Sequence, residues 1–278
     1  ARICGARAVA YVHGLDVAVR HPLYRALWHP LLRRMDRVIA NSQPTAELVR
    51  ALGIAEDRIR IVHPGVGLPV APQPAQVLRV FRAQHALGDG PLLLSVGRLT
   101  ERKGLREFVQ HVLPDIVRQR PDLRLLVLGE APTDSLLAGV QTRASIQAVA
   151  DTAGIGAHVR FLGVITDPQE LACAYESAAV HVFPVRQLPG DPEGFGMVAI
   201  EAAAHGLPTV AFATGGIVDA VAEGQSGHLV PPGDYAALGL AILSILRDGM
   251  PHWQADAQQF ARGFAWPALE GKLWAALQ

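Results

Sequence analysis

The stretch DPEGFGMVAIEAAAHGLP, residues 191–208, carries two glutamates with seven residues between them. Glu193 stands beside Gly194-Phe195-Gly196, and Glu201 stands inside an alanine-rich run. A helix that starts near Phe195 leaves the amides of Gly194, Phe195 and Gly196 unpaired at its positive end. Such an end holds an anion or a polar sugar face. On that helix the second glutamate would lie about 12 Å along the axis from the first, at 1.5 Å per residue. Two carboxylates at that separation can address opposite ends of one elongated ligand. Taken alone, Glu201 reads as an ordinary helix-surface carboxylate.

A second cluster lies in SVGRLTERKG, residues 95–104. Gly97 lets the chain turn where an apolar strand ends. Arg98 and Lys103 then fall just past the C-terminal edge of a sheet, where open α/β folds bind ligands. Two cations on one loop suit a diphosphate, with roughly 1.5–3 kcal/mol from each charge-assisted hydrogen bond. Glu101, Arg102 and Arg106 read as solvated neighbours. His13, in VHGLD, is a lone histidine at a strand end, and on spacing alone it is structural. His63 and His205 also read as structural.

A third feature is RHPLYRALWHPLLRRMDR, residues 20–37, in which five arginines interleave with Leu23, Tyr24, Leu27, Trp28, Leu31, Leu32 and Met35. Two readings stand: a helix lying on an anionic membrane, or a helix packed on its own lobe with solvated arginines. Pro30 counts against one uninterrupted membrane helix.

The elements that must position these residues follow from the apolar periodicity. Strands are expected at 92–96, 123–128, 159–162, 179–183, 209–212 and 228–230, alternating with helices at 168–177, 195–205 and 235–247. Leu105, Phe108, Val109, Val112 and Ile116 recur at helical spacing, with Pro114 weakening or kinking that helix. This alternation predicts an α/β domain with a doubly wound parallel sheet over 89–250. The earlier part predicts a smaller lobe over 1–70, with strands at 8–14, 37–42 and 58–65 and helices at 21–35 and 44–52. Three strands make a thin sheet and the chain does not open on Met, so an incomplete first lobe is expected. The Pro- and Gly-dense stretch 65–76 reads as a connection, with the linker placed at 71–88. The aromatic tail 251–278 reads as helices packing on or between the lobes.

Composition narrows the function further. Half of the 278 residues are hydrophobic, enough for a large core. Lys plus Arg equals Asp plus Glu at 25 each, so the basic footprint of a nucleic-acid binder is missing and no nucleic-acid partner is expected. Cys4 and Cys173 are far apart in no metal-ligand spacing, which points to a reducing cytosol. The best apolar run, LGLAILSIL at 238–246, is too short to span a bilayer, and the opening residues do not read as a signal peptide. Walker A, a complete dinucleotide fingerprint, His-Glu-x-x-His, Gly-x-Ser-x-Gly and Asp-x-Asp are all missing. Their absence disfavours P-loop NTPases, Rossmann oxidoreductases, zincins and serine hydrolases.

The ordered segments VHGLD, RVIANS, IVHPGV, SVGRLTERKG, LLVLGE, VRFLG, EGFGMVAIEAAAHGLPTVAFATGG and GHLVPPGD resemble the family 4 glycosyltransferases. Within them the likeness is to phosphatidylinositol mannosyltransferase-like and other bacterial hexosyltransferases. The resemblance implies a GT-B fold with two Rossmann-like lobes and a retaining, metal-independent transfer of a hexose, mannose or glucose, from a nucleotide-sugar donor. It implies no cofactor, a glycan, glycolipid or small-molecule acceptor, and a cytoplasmic location, peripheral at the inner membrane face if the basic helix meets lipid. Arg98 and Lys103 would hold the donor diphosphate. Glu201 would accept the ribose hydroxyls. Glu193, with the amides of Gly194, Phe195, Gly196 and Met197, would hold the transferred sugar. His13 matches a histidine facing donor sugar and acceptor, and Leu162, Gly163 and Val164 would border the base. Two alternatives stay open: a non-catalytic nucleotide-sugar-binding relative, and a GT-B-like sugar-nucleotide epimerase.

Overall fold

In the computed structural model, which describes residues 5–133 and 139–278, the apolar runs form two parallel sheets. Cys4 lies outside the described residues. The first sheet has the order β1-β2-β3, with β1 at Val9–Val12, β2 at Arg37–Ala40 and β3 at Ile59–Ile61. Short helices α1 (Leu15–Ala18), α2 (Pro22–Arg33) and α3 (Gln43–Ala51) follow these strands. Val12, Leu32, Val38, Ala40, Ala46 and Val49 make the core of this lobe. Ser42 starts α3 by accepting the Thr45 amide at 3.2 Å, an ordinary N-cap.

The helix α2 runs through Pro30 without breaking. One face carries buried Leu32 and His29 and the Trp28 ring that packs on the lobe core. The other leaves Leu23 and Leu27 each 63% exposed and Leu31 46% exposed.

The expectation of a linker over 71–88 needs correction. Residues Ala75–Gln84 form helix α4, and its Phe81, with Leu87 just beyond it, is buried against Leu92 and Tyr175 of the second lobe. Pro74 takes the cap position, so the proline-rich run ends where the helix begins, and the connection is shorter than the sequence suggests.

The second sheet holds β4 (Leu92–Val96), β5 (Arg124–Leu128), β6 (Val159–Gly163), β7 (Val180–Phe183), β8 (Thr209–Phe212) and β9 (Gly227–Val230). Every neighbouring pair is parallel, in the order β6-β5-β4-β7-β8-β9. The order reverses between β4 and β7, which makes their C-terminal ends the switch point where such sheets bind ligands. Helices α5 (Leu105–His111), α6 (Leu113–Gln119), α7 (Arg143–Thr152), α8 (Pro168–Ser177), α9 (Met197–Ala204), α10 (Ile217–Ala220) and α11 (Tyr235–Asp248) cover it. The long helix expected across 105–116 is divided at Val112, whose ψ of −49° comes with a φ of −122°, two residues before Pro114. The apolar stripe continues across the break and is buried throughout.

Two helices close the chain. Ala257 and Ala261 of α12 (Met250–Arg262) pack with Ala199 and Ala203 of α9. Helix α13 (Trp266–Leu277) returns to the first lobe, where Leu269, Leu273 and Ala276 cover Ile39 and Val62. Among the described residues no helix is long and apolar enough to cross a membrane.

Candidate active site

The site is built where the strands β4 and β7 end. Beyond Val96 the chain turns through Gly97, and at Gly129, at the end of β5, an added Cβ would lie 2.0 Å from the Gly97 carbonyl oxygen. With φ at +121°, Gly129 allows a backbone approach that a side chain would block. A tight turn at Glu101–Lys103 then swings Arg102 and Lys103 back over the sheet edge. The Arg186 amide, beyond β7, donates to the Arg102 carbonyl at 2.7 Å and fixes that turn.

Opposite this loop, Glu193 lies on a segment that is neither helix nor strand. Helix α9 begins at Met197, with Gly196 at φ +96° as its cap residue, so the helix expected from Phe195 starts two residues later. Among the described residues no backbone carbonyl receives the amides of Gly194, Phe195, Gly196 or Met197. These residues line a cleft of ≈ 450 Å³ together with His13, Asn41, Arg98, Arg102, Lys103 and Asp191. The Phe195 ring is buried and stacks on His63 at 5.3 Å between centroids. Here the two lobes meet closely: a Cβ on Gly194 would stand 2.3 Å from the His13 carbonyl oxygen.

The charges in the cleft are coupled. Lys103 Nζ donates to Glu193 Oε2 at 2.7 Å, and Arg102 Nη1 donates to the same oxygen. Arg102 Nε lies 3.1 Å from Asp191 Oδ1. Arg102 was expected to be solvated, but its side chain is only 11% exposed, because the turn aims it inward. Arg106 instead pairs with Glu107 at 3.3 Å, away from the cleft. Burial pushes the Glu193 carboxyl up, but the Lys103 ammonium and Arg102 guanidinium outweigh it and hold the group below its ordinary value. Burial lowers Lys103, the Glu193 charge opposes that, and repulsion from Arg102 and Arg98 keeps the ammonium below its usual range. The two shifts have different origins: burial is the largest cause for Lys103, and the two neighbouring cations lower Glu193. Three cations against two carboxylates leave one surplus positive charge, which suits an anionic ligand.

Glu201 lies in an adjoining hollow of ≈ 290 Å³, and Met197 lines both spaces. The Tyr175 hydroxyl donates to Glu201 Oε2 at 2.9 Å. Burial first and the Glu201 charge second push this phenol well above its ordinary value, so it stays a donor. Its ring stacks on His205 at 5.2 Å, while His205 Nδ1 lies 2.9 Å from Glu176 Oε1. His205 thus braces the wall of the hollow.

Of the other expected site residues, His13 and Arg98 line the Glu193 cleft and Leu162, Gly163 and Val164 do not. His13 is exposed at the end of β1, its amide held by Asp16 Oδ2 at 2.9 Å. Arg98 is exposed at the cleft mouth. Leu162, Gly163 and Val164 end the edge strand β6, where the Gly163 carbonyl accepts the Gly129 amide at 2.7 Å. They line neither the Glu193 cleft nor the Glu201 hollow. Asn41 was missed by sequence reasoning. It is 3% exposed, yet among the described residues its Oδ1 has no hydrogen-bond partner. Its position at the end of a strand, just before a helix-capping serine, was the signal available.

Two parallel-sheet lobes that meet over a cationic cleft at a topological switch point define a GT-B architecture. The chain matches the family described as "Glycosyl transferases group 1" over residues 90–248 and "Glycosyltransferase Family 4" over residues 1–68, and it belongs to the group 1 glycosyl transferases. It is 34% identical over 245 residues to a D-inositol 3-phosphate glycosyltransferase of Catenulispora acidiphila, covering 84% of this chain and 53% of that one. It is 30% identical over 274 residues to a GDP-mannose-dependent alpha-(1-6)-phosphatidylinositol monomannoside mannosyltransferase of Mycolicibacterium smegmatis, covering 94% and 69%. Among solved structures, Anabaena HepE in complex with UDP-glucose superposes with a TM-score of 0.81 at 21% identity, over 99% of this chain and 73% of that one. The chain spans about half the length of the inositol phosphate glycosyltransferases it matches.

Proposed function

We propose that this protein transfers a hexose from a nucleotide-sugar donor to a glycan, glycolipid or small-molecule acceptor, with retention and without a metal ion. One observation carries the reading. A surplus of fixed positive charge stands next to a carboxylate and free backbone amides at the switch point, with a second carboxylate in the adjoining hollow. Arg98 and Lys103 bind the diphosphate and stabilise it as it leaves, the task a metal ion performs elsewhere. Glu193 and the amides of Gly194 to Met197 hold the sugar hydroxyls. Glu201 holds the ribose, and Met197 separates the two ends of the donor. Leu162 to Val164 form the rim nearest the base.

In the transfer itself, the bond from the anomeric carbon to the phosphate oxygen breaks and the acceptor oxygen attacks from the same face. The donor phosphate takes the acceptor proton. His13 faces the reacting sugar from the first lobe. Glu193 acts as a sugar holder and not as a nucleophile, because its carboxylate is already engaged by two cations. Relatives that act on GDP-mannose and on inositol phosphate favour mannose or glucose as the sugar and a lipid-linked or inositol-type acceptor. The exposed Leu23, Leu27 and Leu31, set among arginines, suit peripheral contact with an anionic membrane at its cytoplasmic face.

The reading is tested by nucleotide release from a panel of GDP-, UDP- and ADP-sugars, with membrane extract as acceptor source. Lys103→Ala should lower kcat/KM by at least a hundred-fold for the active donor, since it removes a charge-assisted contact to the leaving group. Turnover equal to the parent in a folded Lys103→Ala protein rules the site out.

A further inference from the structure

We infer that Arg102 is a positioning residue for this transfer: it ties Glu193 to Asp191 and keeps the Glu193 carboxylate aimed into the cleft when Lys103 turns to the donor diphosphate. The inference rests on the functional reading above.

The geometry separates the two cations that meet at Glu193 Oε2. Lys103 is a point charge on a flexible stem, and the diphosphate competes for it. Each time a donor binds, Glu193 loses part of its partner at 2.7 Å. Arg102 is held at three places. Its Nη1 donates to Glu193, its Nε stands 3.1 Å from Asp191 Oδ1, and its carbonyl receives the Arg186 amide at 2.7 Å. The Nε contact is a close charge pair without hydrogen-bond alignment. A planar guanidinium can span two carboxylates in this way, which an ammonium cannot.

Charge makes the brace necessary. Glu193 is 12% exposed on its side chain, and burial alone favours its neutral form. A protonated carboxyl would give up part of its capacity to accept sugar hydroxyls. The groups that face it are Lys103, Arg102 and Arg98 from the β4 loop, Asp191 from its own loop and His13 from the first lobe. Neutral, fully buried His181 on β7 lies near Lys103. Asp191 is repulsive, Arg98 is at the exposed mouth, and Lys103 is shared with the ligand. Arg102 is the counter-charge that donor binding leaves in place.

The protein is titrated with UDP, GDP and ADP, and donor turnover is measured with the corresponding nucleotide sugars across pH. Binding of none of these nucleotides by the parent protein sinks the donor reading and this inference with it. Given binding, Arg102→Ala should keep the Kd for the nucleoside diphosphate within two-fold, because that probe lacks the sugar. The same variant should raise KM for the intact donor at least five-fold and move the acid limb of kcat/KM to higher pH. Arg102→Lys should restore the acid limb but recover KM only in part. Asp191→Asn should raise KM without moving the acid limb upward. An Arg102→Ala protein with parental KM and acid limb overturns the inference. So does one that loses nucleotide and donor affinity equally, since Arg102 would then be a diphosphate ligand. If Arg102→Ala does not fold, parental KM in both Arg102→Lys and Asp191→Asn overturns it.

Discussion

At the scale of residues, Glu193 and Glu201 line separate spaces although the same short segment supplies both, and the proposed function gives each its own part of the donor. Glu193 is buried among cations, and Glu201 accepts a tyrosine hydroxyl at 2.9 Å in a neighbouring hollow. Removing either should therefore weaken a different part of one donor. Glu201→Ala should weaken binding of the bare nucleoside diphosphate by about ten-fold or more, from the roughly 1.5–3 kcal/mol expected of one hydrogen bond to a charged group. Glu193→Ala should leave that binding nearly unchanged and act on the intact nucleotide sugar. Calorimetry with the nucleotide and with its sugar conjugate distinguishes them, and equal losses on both ligands in both variants would contradict the division. That Glu193, Arg98 and Lys103 share one cleft was partly legible before the fold was known, because carboxylates beside glycines and cations beside a strand end carry their chemistry in their type. Arg102 was not legible. A run of charges on a loop does not say which side chain turns inward, and here the Glu101–Lys103 turn decides it.

At the scale of elements, the six strands of the second sheet were readable because each is a short apolar run bounded by turns. Their register and the order β6-β5-β4-β7-β8-β9 depend on long-range pairing, which no local pattern encodes. Helix α4 was hidden by the proline density before it. The start of α9 shifted because Gly196 takes a left-handed conformation that ends helical geometry there. The strand β7 adds a consequence for pH. His181 is fully buried on it, with Nδ1 3.0 Å from Thr209 Oγ1. Burial, and then the Lys103 charge, lower its pKa from 6.5 to about 3. The folded protein keeps this imidazole neutral while the unfolded chain binds a proton below pH 6.5. Stability is therefore full above that pH and falls on acidification down to the native value, by up to ~1.4 kcal/mol per pH unit. His181→Gln should flatten urea-unfolding stability between about pH 6.5 and about pH 4. A slope identical to that of the parent protein would contradict it.

At the scale of the whole molecule, the cleft exists only while two lobes hold each other, and few contacts do the holding beside it. Asp219, on α10 of the second lobe, accepts the Gln43 amide at the start of α3 in the first. The same carboxylate oxygen lies 3.2 Å from His63 Nε2. An acidic group at a helix N-terminus is favoured by the exposed amides and dipole there, so the bond joins the lobes and completes a cap at once. His63 in turn stacks on Phe195, two residues from Glu193, so the lobe contact reaches the Glu193 loop. A further restraint comes from α13, which crosses back to cover Ile39 and Val62. Asp219→Ala removes a charge-assisted bond of about 1.5–3 kcal/mol without touching either sheet. The lobes should then separate more often, by on the order of ten-fold or more. Thermolysin should cut faster in the connection near Val66, Leu68 and Val70, and donor KM should rise while each lobe keeps its own unfolding midpoint. Cleavage and KM both matching the parent protein would mean that the other contacts between the lobes, α13 among them, hold the cleft together without Asp219.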